Sequence, residues 1–326
     1  MTKRLFARLS AAALCIGGAA GCTAPTSSLQ PPLSAPTLVA PAAIAVAPFD
    51  VESGRTARVL SYHLMPLRTR GRAGLGVDTK IKYPADLVRR KGPIMATATS
   101  FNVYVNCDGG GESCWGDPEG FQKKLAGSRF AALLTQYTNS AASGFTFGGG
   151  FSVKYRTYTK LFYRNDLLAV LHAALLRNGK KAGYANLYHI FLPKGSDTCF
   201  DRTRSCYSPN HGHTNDFCAY HEAVAFADVP EHVIVTIEPY QDVDFCSSRA
   251  SSGASALTNS TASTLAHETF ESITDPGPAF AWFNFTYDDE VADLCESFQW
   301  KIPVNGTVYS LQPMYSNHYH ACADGP

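Results

Sequence analysis

The segment Ser263-Thr264-Leu265-Ala266-His267-Glu268-Thr269-Phe270-Glu271-Ser272-Ile273-Thr274-Asp275-Pro276 sets one imidazole and two carboxylates within five residues of an expected helix. Positions four apart share one helix face, so His267 and Glu271 can hold the same cation while Glu268 points to one side of it. This is the layout of a zinc-peptidase helix, His-Glu-x-x-His, with Glu in place of the second His. In that motif the first Glu takes a proton from the attacking water, which assigns Glu268 the catalytic role. A Glu ligand adds negative charge and makes the ion a weaker Lewis acid. The competing reading is an ordinary polar helix face.

A catalytic zinc takes three protein ligands and keeps one position open. His267 and Glu271 supply two, and the candidates for the third are Glu290, Asp293, Asp275 and His221. Asp288-Asp289-Glu290-Val291-Ala292-Asp293-Leu294-Cys295 puts four acids beside a Cys on a separate segment, which favours Glu290. Asp293 is then a partner orienting His267 or the alternative ligand. Asp275 stands at the helix end, where Asp275-Pro276-Gly277-Pro278 breaks the helix and a carboxylate braces the turn. His221 follows Cys218, on a loop that a disulfide would fix. Tyr287 and His221 are the candidates for steadying an oxyanion. One His with two carboxylates makes a hard donor set, so calcium and manganese stand beside zinc.

Residues 1–22 read as an export signal: Lys3, Arg4 and Arg8, then a short apolar run too short to span a bilayer. Ala19-Ala20-Gly21-Cys22 resembles a bacterial lipoprotein signal, with Cys22 as the lipidated residue and the lipid as the only membrane contact; the alternative is a plain secretory signal cut after a small residue, which leaves the chain secreted. Residues 23–50, rich in Pro, Ala, Ser and Thr, are expected to form a tether. Residues 51–326 remain as a single domain. Of 326 residues, 45% are hydrophobic and 17% charged, enough to bury a substantial core. Removing the three basic signal residues from 28 basic against 27 acidic leaves a small negative charge. No basic run appears, which argues against a nucleic-acid partner.

Two of the ten Cys belong to the signal, and an even remainder in an exported chain argues for disulfides. The short intervals Cys107 to Cys114 and Cys199 to Cys206 suggest local loops. Cys218 with Cys246 and Cys295 with Cys322 complete the set. No close Cys-x-x-Cys pair supports a zinc ribbon.

Strands are expected over Val51 to Pro66, Ala98 to Val105, Phe145 to Tyr158, Tyr184 to Leu192 and Val233 to Tyr240, from alternation and β-branched content. A loop is expected from Arg68 to Gly76, and helices from Pro118 through Tyr137 and from Leu167 to Leu176. Ser260 or Thr261 is expected to cap the helix carrying His267. His172, inside an apolar helix, reads as structural, and His211 with His213 in a Gly-spaced loop is a weak metal signal. Gly148-Gly149-Gly150 lacks the Lys of a phosphate loop. The expected fold is α/β (α+β), a mixed sheet flanked by helices with the metal-site helix lining a cleft.

Lys91-Gly92-Pro93, the run Ile190 to Gly195 leading to Cys199, Phe217 to His221, His267-Glu268-x-x-Glu271-x-Ile273-Thr274-Asp275-Pro276 and Glu290 to Cys295 together resemble bacterial relatives of the plant EXORDIUM, or phosphate-induced, protein family. The resemblance covers roughly residues 85 to 322. It implies an exported, disulfide-containing protein with a zincin-like fold. The leading expectation is a metal-dependent, zinc-using peptidase of the cell envelope acting on peptide or protein substrates. The alternatives are a non-catalytic extracellular binding module and a structural, calcium-binding lipoprotein.

Overall fold

The computed structural model describes residues 44–46, 57–67, 81–107, 112–139, 144–157, 160–200, 205–211, 214–248 and 252–326. The export signal with Cys22, most of the stretch 23–50, the segment Arg68 to Gly76 and His213 lie outside them. The described residues fall in one unit, Ala40–Pro326.

The central sheet is built from β1 (Ile44–Val46), β2 (Ala57–Pro66), β3 (Ala98–Val105), β4 (Phe145–Tyr155), β5 (Asn186–Phe191), β6 (Phe217–Phe226) and β7 (Val233–Glu238), and its central strands are buried on both faces. Their order is β1-β4-β3-β5-β7-β6-β2. Neighbours from β1 through β7 run parallel, whereas β6 is antiparallel to both β7 and β2. The sheet is therefore mixed, with β2 as its last strand.

Both faces of the sheet are covered. Phe101, Val103, Tyr188, Ile190, Val233 and Val235 meet the apolar side of helix α2 (Arg164–Arg177), which follows the short helix α1 (Pro118–Leu125) in the chain. Opposite them, Tyr104, Leu187, Phe191, Ala223 and Ile234 meet Ala262, Leu265, Phe270 and Ile273 of helix α3 (Ala256–Thr274). A C-terminal hairpin, Trp300–Val304 with Thr307–Leu311, lies over α3, so every residue from Asn259 to Thr274 is buried. Three hydroxyls of α3 meet this burial by bonding back to their own helix: Ser260 to Ala256 O at 2.7 Å, Thr269 to Leu265 O at 2.6 Å, Thr274 to Phe270 O at 2.9 Å.

Three expectations change. Helix α3 begins at Ala256 with Ser255 as N-cap, its hydroxyl accepting from Thr258 N, so Ser260 and Thr261 lie inside the helix. The stretch from Pro118 to Tyr137 is broken after Leu125, where Gly127 takes φ +67° and a 3-10 turn, Ala131–Leu134, follows. His221 sits within strand β6 rather than on a loop, because Phe217 to Phe226 pairs on both sides.

Four disulfides form, Cys107–Cys114, Cys199–Cys206, Cys218–Cys246 and Cys295–Cys322, as the intervals suggested. Such bonds fit an oxidising compartment. Among the described residues no helix is long and apolar enough to cross a membrane.

Candidate metal centre

Helical spacing brings His267 Nε2 to 3.1 Å from Glu271 Oε2. The segment after α3 then docks on the same carboxylate: Glu271 Oε1 accepts from Ala292 N at 3.3 Å and Asp293 N at 3.1 Å, which leaves Oε2 as the outward atom. Tyr315 N donates to Val291 O at 2.8 Å, Tyr83 OH to Leu294 O at 2.5 Å, and the Cys295–Cys322 bridge fixes the end of the turn Asp293–Cys295. So held, Asp293 places Oδ1 3.4 Å from His267 Nε2. On the far side of the imidazole, Nδ1 lies 3.3 Å from Gln312 Oε1, while Gln312 Nε2 donates to Ala292 O at 2.5 Å. With Nδ1–H donated to that amide oxygen, the Nε2 lone pair faces the two carboxylates.

His267 Nε2, Glu271 Oε2 and Asp293 Oδ1 thus converge, and they face one another with no hydrogen bond to any other group. Buried polar atoms are ordinarily paired, so three unpaired ones facing each other are the form a cation site takes. The nitrogen and oxygen donors suit zinc, with manganese or calcium as harder alternatives. Burial alone would lower the His267 pKa, but the charges of Glu271 and Asp293 outweigh it and raise it. Burial and the Asp293 charge push Glu271 up to about 7 against the pull of His267. A proton therefore holds this cluster together when no cation does, and a cation must displace it.

Glu268, on the next face of α3, turns toward the sheet. Its Oε2 lies 3.3 Å from His221 Nδ1, and its Oε1 is unpaired. Burial raises its pKa, with Glu271 and Glu238 adding to the effect against His267. Under it the sheet carries an unusual row: Asn102, His189, Thr236, His221 and His63 are register partners across β3, β5, β7, β6 and β2, all on the α3 face. Thr236 Oγ1 joins His189 Nδ1 and Glu238 Oε1, each at 2.7 Å.

The predicted residues are gathered unevenly. The triad around His267 takes Asp293, whereas Glu290, the favoured third ligand, falls in another group: its Oε2 is 3.0 Å from His63 Nδ1 and 3.8 Å from His221 Nε2. The reason is the backbone docking on Glu271, which aims residue 293 at the helix. Asp275 braces the helix end through Ala281 N at 2.8 Å. The Tyr287 hydroxyl is engaged by the Lys82 backbone at 2.9 and 3.0 Å, which leaves His221 as the oxyanion candidate beside the triad. His172 pairs with Asp228 at 2.9 Å and His211 with Ser208 at 2.9 Å, both away from the centre. His63 was missed; its one sequence signal is the position it shares with Ser61 on the inward face of a strand.

Beside His63 opens a cleft of about 350 Å³ lined by Val59 to His63, Arg164 and Gly277 to Phe280. No protein-family model, curated protein or solved structure matches the chain.

Proposed function

We propose that the protein is an exported, zincin-like metallopeptidase whose ion is held by His267, Glu271 and Asp293. The observation carrying this reading is the convergence of three buried ligand atoms one helix position from Glu268, whose Oε1 has no partner. A divalent ion bound there polarises a peptide carbonyl and makes a water easier to deprotonate.

The chain's own groups do the rest. Glu268 Oε1 takes the proton of the attacking water and returns it to the leaving amine, its raised pKa bringing it nearer the working range of a general base. His221, whose Nδ1 faces Glu268 Oε2, orients that carboxylate beside the centre. The cleft beside His63 receives the substrate, and β2, the end strand of the sheet, offers its free backbone groups to an extended peptide. The resemblance to EXORDIUM-type proteins and the lipoprotein-like signal support the reading that this activity belongs to the cell envelope.

A second reading is a structural ion, favoured by burial: His267, Glu268 and Glu271 have no exposed surface, and structural sites are closed. Metal analysis of the purified chain with peptide hydrolysis by wild type and Glu268→Gln separates the two. Under the peptidase reading the variant keeps its metal and loses about 10²–10⁴-fold in rate. Unchanged hydrolysis, or no bound metal, overturns it; metal loss that lowers the melting temperature without any hydrolysis supports the structural ion.

A further inference from the structure

We propose that His63, His221 and Glu290 form a second cation site, making the centre a two-metal one. The inference rests on the first triad being a metal site and adds a neighbour to it.

Three observations carry it. First, β2 and β6 pair so that His63 and His221 are register partners, and their rings stack in parallel, centroids 4.9 Å apart and planes 5° apart. His63 Nδ1 is 3.0 Å and His221 Nε2 3.8 Å from the same atom, Glu290 Oε2. Second, Glu290 is 1% exposed, and its oxygens form no hydrogen bond beyond facing these two imidazoles. A buried carboxylate with no partner is an expensive group unless something charged meets it.

Third, the charges around it do not balance. Glu268, Glu271, Asp275, Glu290 and Asp293 crowd together, and among the described residues no Lys or Arg forms an ion pair with any of them. Once ionised to bind cations, these five carboxylates carry more charge than one divalent ion offsets, and a second ion offsets two more.

The ligand chemistry is also prepared. Glu268 accepts from His221 Nδ1–H, which turns the Nε2 lone pair toward Glu290 and away from a donor role to Asp275 O at 3.3 Å. Two nitrogens and a carboxylate suit zinc or manganese. The His63 side chain is 16% exposed and lines the cleft, so this ion lies on the substrate side, where two-metal sites clamp the reacting oxygens.

The test is metal counting on the full disulfide-bonded chain loaded with cobalt(II) and freed of excess, for wild type, His63→Ala, Glu290→Gln and Glu271→Gln. Wild type should hold two ions per chain, His63→Ala and Glu290→Gln one each, and paramagnetic coupling between adjacent cobalt ions should vanish in those two variants. One ion in wild type, unchanged in His63→Ala and lost in Glu271→Gln, overturns the second site and leaves the first. One ion in wild type that His63→Ala abolishes while far-UV circular dichroism is unchanged overturns it as well, since His63 would then belong to a single site. No ion in wild type overturns both.

Discussion

At the scale of single residues, the centre depends on how one carboxylate is divided. Glu271 gives Oε1 to two backbone N–H groups and keeps Oε2 for the triad, so a local backbone contact determines that Asp293 and not Glu290 faces His267. The His-Glu-x-x-Glu spacing was legible because helix geometry is local. The choice between two acids three residues apart was not, since it turns on the direction of a turn that is fixed from outside by Cys322, Tyr83 and Tyr315. His63 was illegible for a similar reason: only pairing of β2 with β6 gives it a role.

A residue on the other sheet face supplies a prediction independent of any metal. Glu222 is buried against Arg164 Nη2 at 3.0 Å, yet burial pushes its pKa from 4.5 up to about 7 despite that cation. The folded chain therefore holds a proton there that the unfolded chain releases above 4.5. This group's contribution falls as pH rises from 4.5 through 7, and its cost is complete above 7. Glu222→Gln removes the slope. Urea denaturation at pH 5 and pH 8 should show the variant gaining on wild type by up to about 3 kcal/mol between the two; a gap that does not change with pH contradicts it.

At the scale of elements, α3 is unlike the amphipathic helices that sequence patterns find best. It is covered all round, and Ser260, Thr269 and Thr274 bond back to their own helix while Ser263 and Thr264 bond to Gln312 and Gln241, so its polar composition disguised a central core element. The segment after it is positioned by Lys91-Gly92-Pro93. Arg90 N and Gly92 N donate to Ala281 O at 2.6 Å and Phe280 O at 2.9 Å, and Met95 N to Ile273 O at 2.9 Å. A Cβ on Gly92 would lie 2.0 Å from Ala279 O and 2.5 Å from the Phe280 carbonyl carbon, backbone atoms with no freedom to yield. That close approach gives the Gly of this motif its physical reason. Gly92→Ala should cost roughly 2–3 kcal/mol in chemical denaturation, and stability equal to wild type would show that the loop 276–281 is not held this way.

For the molecule as a whole, the two short disulfides and five of the sheet strands were readable from short intervals and alternation, whereas β6, expected as a loop, and the C-terminal hairpin were not. Sheet order was not, since parallel crossovers leave no mark in local sequence. The result is a centre assembled from distant parts: α3 gives His267, Glu268 and Glu271, the end strands of the sheet give His63 and His221, and a disulfide-held turn gives Asp293. The long bridges Cys218–Cys246 and Cys295–Cys322, spanning 28 and 27 residues, tie strand β6 and that turn to the rest of the domain. Such staples restrict the unfolded chain most when the loop is long, and here they also bracket the residues proposed to bind metal.

The most direct test of the central claim is anomalous X-ray scattering at the zinc edge from crystals of the zinc-loaded chain. The proposal predicts a peak about 2.0–2.2 Å from His267 Nε2, Glu271 Oε2 and Asp293 Oδ1. The absence of a peak in that triad, with zinc bound elsewhere or nowhere, would contradict it.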